Sequence, residues 1–139
     1  MTIAREPADL DDTAWGNPDR YHPGWVYHGL VVGTPAEAAL FVDRLLAGQL
    51  LPVELLRAMV EAHPVGGPIA GRPWRSPGYG LGIMVDDASP RGRCMGHTGG
   101  GPGSVAASFH FADLRPTKTV AAFAPVEDPG VVERAVLER

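Results

Sequence analysis

His97 and Thr98 stand directly ahead of the run Gly99-Gly100-Gly101-Pro102-Gly103-Ser104, and this stretch alone joins a polar pair to a readily approached main chain. Two adjacent side-chain donors followed by glycines let a ligand come close to the backbone. A strand-end N–H near Gly100 is then placed to meet an oxyanion or a carboxylate. The residue types leave a second reading open, a glycine-rich turn in which His97 bonds locally. A phosphate loop of the Walker type is excluded, because the sole lysine, Lys118, follows Thr117 and is remote from the glycines.

The surrounding pattern supplies the elements that must position this stretch. Strands are expected at Tyr79–Val85, Arg93–Thr98, Ser104–Phe111 and Thr119–Pro125, separated by polar turns at Asp86–Gly92 and Ala112–Lys118, which favours consecutive antiparallel pairing. Upstream, Thr34-Pro35-Ala36-Glu37 has the spacing of a capping box, with Ala38, Phe41, Val42, Leu45 and Leu46 as an apolar stripe and Gly48 as a stop. Pro52 opens a second helix to about Ala62, with Leu55, Leu56, Met59 and Val60 on its apolar face. His63–Gly78, rich in proline and glycine, reads as a loop that forms a lid or rim. Asp128-Pro129 starts a C-terminal helix with the stripe Val131, Val132, Ala135 and Val136. The fold class is α+β: an antiparallel meander of three to four strands packed with an N-terminal helical pair and a C-terminal helix.

A length of 139 residues suits one domain over 1–139, with residues 1–20 as an extended arm anchored by the nearby aromatics Trp15, Tyr21, Trp25 and Tyr27. A net charge of −4 offers nothing to nucleic acid or an anionic membrane, and no apolar run is long enough to span one. With no basic, apolar leader at the start, the chain as given fits the cytoplasm. The lone cysteine, Cys94, rules out an internal disulfide, and strand alternation puts it on the face opposite His97, as a buried inert thiol. His22, His28, His63, His97 and His110 lack the spacing of a zinc site, and Glu6, Asp9, Asp11, Asp12 and Asp19 read as solvated surface. Ser104 and Ser108 lack a nucleophile-elbow setting and read as ordinary strand residues.

Tyr79-Gly80-Leu81-Gly82-Ile83, followed by Gly96-His97-Thr98-Gly99-Gly100-Gly101-Pro102-Gly103, resembles the C-terminal portion of the serine β-lactamase-related family. That family includes class C-like β-lactamases, DD-peptidases and esterases. The likeness extends to Trp25–Gly33 and the helix after it, so it runs from about Tyr21 to Leu137. The resemblance implies a partial β-lactamase/transpeptidase-like fold and an acyl-enzyme mechanism on lactam, amide or ester bonds. His97-Thr98-Gly99 would be the family's His-Thr-Gly triplet; His97, Thr98, Gly99 and Gly100 would bind substrate, with the Gly100 N–H as one oxyanion donor.

The family's other catalytic elements are absent from this sequence. Arg115, not serine, stands three places before Lys118, so there is no Ser-x-x-Lys. The three tyrosines begin Tyr21-His22-Pro23, Tyr27-His28-Gly29 and Tyr79-Gly80-Leu81, so there is no Tyr-x-Asn. The expectation is a truncated β-lactamase-related hydrolase, inactive alone, with no cofactor and no metal. Two alternatives stand beside it: a non-enzymatic domain that binds a small carboxylate-bearing ligand or a protein, and a hydrolase subunit completed by a second chain carrying Ser-x-x-Lys. Truncation would expose an apolar face of the helices and an unpaired strand edge, for a homo-oligomer or a complementing chain to cover.

Overall fold

Thr34 does what its spacing with Glu37 suggests: its hydroxyl accepts the Glu37 N–H at 3.2 Å, and the Glu37 carboxylate accepts the Thr34 N–H at 2.8 Å. This capping box opens α1 (Pro35–Leu46). At the other end Gly48 takes φ +73°, and the N–H groups of Gly48 and Gln49 close on the carbonyls of Leu45 and Arg44 at 3.1 and 3.0 Å. Helix α2 (Val53–Val60) stops two residues short of Ala62. Glu61 is already extended, and the last carbonyls of the helix are taken from outside it, that of Met59 by the Leu81 N–H at 3.0 Å and that of Val60 by Arg93 at 3.1 Å.

The computed structural model describes residues 2–3, 31–101 and 103–138. Thr2–Ile3 (β1) pairs antiparallel with Val31–Val32 (β2). The rest of the expected arm lies outside the described residues, together with its acidic cluster, Trp15, Tyr21, Trp25, Tyr27, His22 and His28.

The main sheet is an antiparallel meander in sequence order, β3 (His63–Pro64), β4 (Pro77–Tyr79), β5 (Met84–Asp86), β6 (Cys94–Gly101), β7 (Ser104–Phe111) and β8 (Lys118–Ala124). It has six strands rather than three or four, for two local reasons. The two ends of the 63–78 segment pair with each other, His63 opposite Tyr79 and Pro64 opposite Gly78, so what reads as a loop is a closed excursion between strands. The expected strand Tyr79–Val85 is instead a hairpin: the Gly80 N–H donates to the Ile83 carbonyl at 2.8 Å, and Gly82 takes φ +70°. Gly80 is obligatory there, since a Cβ would lie 2.0 Å from the Met59 carbonyl oxygen.

Register assigns the two faces. Cys94, Gly96 and Thr98 of β6 stand opposite Phe111, Phe109 and Ala107 of β7, and this face packs under α3 (Pro129–Leu137) with Trp74, Val132, Val136 and Leu137. The other face carries Met95, His97, Ser108 and His110 toward α1 and α2, where Ile83, Val85 and Met95 meet Leu46, Met59 and Val60. Cys94 is fully buried on the α3 side, and burial pushes its thiol up to about 11.

The helical stripes are rotated from those expected. On α3 the buried side chains are those of Val132, Glu133, Val136 and Leu137, with Gly130 buried at its start, while Val131 is exposed, because a carboxylate is accommodated at Glu133 by a partner from the 63–78 segment. On α1 and α2, Phe41 and Leu55 face outward together with Leu40 and Val53. No helix among the described residues is long and apolar enough to cross a membrane.

Candidate functional site

The site arises from a mismatch of strand lengths. β5 pairs only with Cys94–Gly96, whereas β6 runs on to Gly101, so residues 97–101 have β7 on one side and no described strand on the other. The Thr98 N–H meets Met84 Sδ at 3.4 Å and the Thr98 carbonyl accepts from His97 Nδ1 at 2.7 Å, so both main-chain groups of Thr98 point away from β7. Main-chain direction alternates along a strand. Gly100 therefore offers its N–H and C=O to the same open edge.

Along this edge lies a groove of about 730 Å³ lined by Arg72, Tyr79, Met84, His97, Thr98, Gly99, Gly100, Gly101, Val105, Glu127 and Pro129. Gly99 and Gly100 are its floor. Neither has positive φ, and a Cβ on Gly99 would meet nothing within 4 Å, while one on Gly100 would meet only Val105 Cγ1 at 3.8 Å. At Gly96, by contrast, a Cβ would lie 1.9 Å from the Ser108 carbonyl oxygen. Packing within the chain thus demands Gly96 but not Gly99 or Gly100, whose bare backbone faces the groove.

His97 and Thr98, neighbours in sequence, serve different faces. His97 is exposed and lines both this groove and a smaller recess of about 230 Å³ beside Thr34 and Ala38 of the α1 side. Its Nε2 lies 2.9 Å from the Tyr79 hydroxyl, with the two rings edge to face. The Thr98 hydroxyl turns to α3 and donates to Glu133 Oε1 at 2.8 Å. Glu133 has no exposed surface; it also takes both forks of Arg72, Nε on Oε2 at 2.6 Å and a terminal nitrogen on Oε1. These hydrogen bonds raise the Arg72 pKa above its ordinary value.

The other polar clusters hold the scaffold. Buried Asp86 accepts the N–H groups of Arg75, Ser76 and Ala88 at 2.8, 3.1 and 2.9 Å, fixing the 63–78 segment onto β5. His110 Nδ1 lies 2.8 Å from the Thr119 hydroxyl, which donates to Asp43 at 2.8 Å and so ties α1 to β7 and β8. Ser108 donates to the Ala38 carbonyl at 3.4 Å, and Ser104 lies at the hairpin beside Gly101. Cys94 and His97 face opposite sides of the sheet. Among the described residues no three His, Cys, Asp or Glu side chains gather as a metal site requires.

With this geometry in place, the likeness to solved structures is informative. Aligned with the crystal structure of a D-stereospecific amidohydrolase from Streptomyces sp., the chain gives a TM-score of 0.62 at 24% identity, over 78% of its own length. The fold is β-lactamase-like. The chain spans 30% of the length of that amidohydrolase. No protein-family model and no curated protein matches the sequence.

Sequence reasoning missed Arg72, Tyr79, Glu127 and Glu133. Tyr79 was visible as part of a glycine motif, but only the turn at Gly80–Gly82 brings it back to His97. Glu133 carried a signal in hindsight: it sits between Val132 and Val136 on the one stripe that can bury Leu137.

Proposed function

We propose that this chain is a module of a β-lactamase-like hydrolase, carrying the substrate-side strand and, as this sequence stands, binding a small amide or ester without hydrolysing it. The observation that carries the reading is the open β6 edge, where Gly100 offers a main-chain donor and acceptor beside His97 over a floor without side chains. An extended amide pairs with such an edge as an added strand does. A carbonyl on the Gly100 N–H would sit as it does in half of an oxyanion hole. His97, Thr98, Gly99 and Gly100 are the residues assigned to this ligand, Thr98 through its main chain and its hold on α3 rather than through its hydroxyl.

The lack of turnover follows from the lack of a paired nucleophile. The chain has no Ser-x-x-Lys; Ser108, across the ladder from His97, donates its hydroxyl to the Ala38 carbonyl while both His97 ring nitrogens are engaged by Tyr79 and Thr98, and Cys94 is a buried thiol whose pKa burial pushes up to about 11. Intact-mass measurement after exposure to a fluorophosphonate, with a chromogenic lactam and an aryl ester in parallel, tests this. Unchanged mass and no turnover are expected; a covalent adduct on Ser104 or any other serine would overturn it.

A second reading, completion by another polypeptide carrying Ser-x-x-Lys, is favoured by Leu40, Phe41, Val53 and Leu55, which α1 and α2 leave exposed. It requires hydrolysis to appear on mixing with a fragment bearing that motif. Activity that stays absent in the mixture rejects it.

A further inference from the structure

The hydrogen-bond accounting of the groove selects the charge of its ligand. A carbonyl oxygen only accepts, so the 2.7 Å contact to the Thr98 carbonyl puts the proton of a neutral His97 ring on Nδ1. Nε2 then carries the lone pair and takes the Tyr79 O–H at 2.9 Å. Tyr79 is left with oxygen lone pairs to offer. The Thr98 hydroxyl proton is spent on Glu133, and the charge of Arg72 is met by the same carboxylate. Glu127, exposed on the groove wall, has no ion pair or hydrogen bond among the described residues.

The side chains facing the groove therefore present acceptors and one uncompensated negative charge. Among the described residues a ligand carboxylate would meet no unpaired cationic side chain in this groove. We infer that the groove takes a small amide whose other end is a primary ammonium, held by Glu127 and the Tyr79 oxygen. This rests on the reading of the open β6 edge as the ligand site, and adds the charge of the ligand to it.

The test uses the full chain, ¹⁵N-labelled, titrated with three probes of one skeleton: cationic glycinamide, neutral N-acetylglycinamide and anionic N-acetylglycine. Shifts of the Gly99, Gly100 and Gly101 amides report the groove. Glycinamide is expected to bind about fivefold more tightly than N-acetylglycinamide, the scale of one exposed ion pair. Glu127→Gln should erase that preference with the rest of the spectrum unchanged, and Tyr79→Phe should weaken glycinamide as well. Equal binding of the cationic and neutral probes, or tightest binding of N-acetylglycine, would overturn the inference and leave the groove reading standing. No shift at Gly99–Gly101 with any probe would remove both.

Discussion

Thr98 of β6 donates its hydroxyl to Glu133 of α3 at 2.8 Å, which ties the strand edging the groove to the middle of the C-terminal helix. The carboxylate has no exposed surface, and Arg72 reaches it from the 63–78 segment with a two-pronged contact. One buried anion thus joins three parts of the chain at the groove wall. A buried charge of this kind is tolerated only while its partners remain.

Removing the cation should therefore cost more than removing the hydroxyl. Arg72→Ala strands the Glu133 carboxylate and is expected to lower stability by about 3 kcal/mol. Thr98→Val removes one hydrogen bond to a carboxylate that keeps Arg72, and about 1.5 kcal/mol is expected. Urea denaturation of the two variants decides it. Equal losses would mean that Arg72 contributes no more than a surface ion pair.

The glycines of β6 should separate into two classes under alanine substitution. In Gly96→Ala the new methyl must lie 1.9 Å from the Ser108 carbonyl oxygen, a backbone atom that cannot move without breaking the β6–β7 ladder. A loss of about 3 kcal/mol or more, or failure to fold, is expected. Gly99→Ala meets open space at ordinary φ, so stability should change by less than about 1 kcal/mol. Its methyl enters the groove region, so probe binding at Gly100 should weaken although the protein stays folded. A Gly99→Ala variant as unstable as Gly96→Ala would show that the floor is not free.

What the sequence revealed was whatever depends on neighbours in the chain. Thr34 and Glu37, Asp128 and Gly130, and the hairpin that returns Gly101 to Ser104 are short-range arrangements, and each is found where its residue types place it. The 63–78 pairing, the burial of Glu133 and the return of Tyr79 to His97 depend on contacts 14 to 61 residues apart, for which local pattern has no signature. Apolar stripes misled for the same reason. Phe41 and Leu55 satisfy a helical period, but the sheet is covered by Leu45, Leu46, Met59 and Val60 before it reaches them. The glycine run showed that backbone would be accessible, yet only the shortness of β5 shows which side of it is open.

His110 makes stability depend on pH. Burial lowers its pKa from the ordinary 6.5, and nearby Asp43 offsets this in part. Above that ordinary value both folded and unfolded chains hold it neutral, so it contributes nothing. As pH falls through the unfolded value the unfolded chain takes a proton that the folded chain refuses, and stability declines until pH passes the lower folded value. Melting temperatures from about pH 8 to 5 should fall more steeply for the parent than for His110→Gln. Asp43→Asn, which removes the offsetting charge, should steepen the fall. A parent profile parallel to that of His110→Gln would mean that His110 titrates alike in both states.

Tyr79 should govern where the His97 proton resides. In the parent, the Thr98 carbonyl draws the proton to Nδ1 while the Tyr79 O–H occupies Nε2, so both contacts favour one tautomer. ¹⁵N shifts of the ring at about pH 8 should place the proton on Nδ1. In Tyr79→Phe the ring keeps its edge-to-face neighbour but loses the donor at Nε2, so water competes and the Nε2–H form should gain population. Tyr79→His, which can also donate to a ring nitrogen, should restore part of the parental signature where a merely space-filling role would not. If the ¹⁵N shifts of Tyr79→Phe match the parent, the Thr98 carbonyl alone fixes the tautomer, and the Tyr79 oxygen is free of His97.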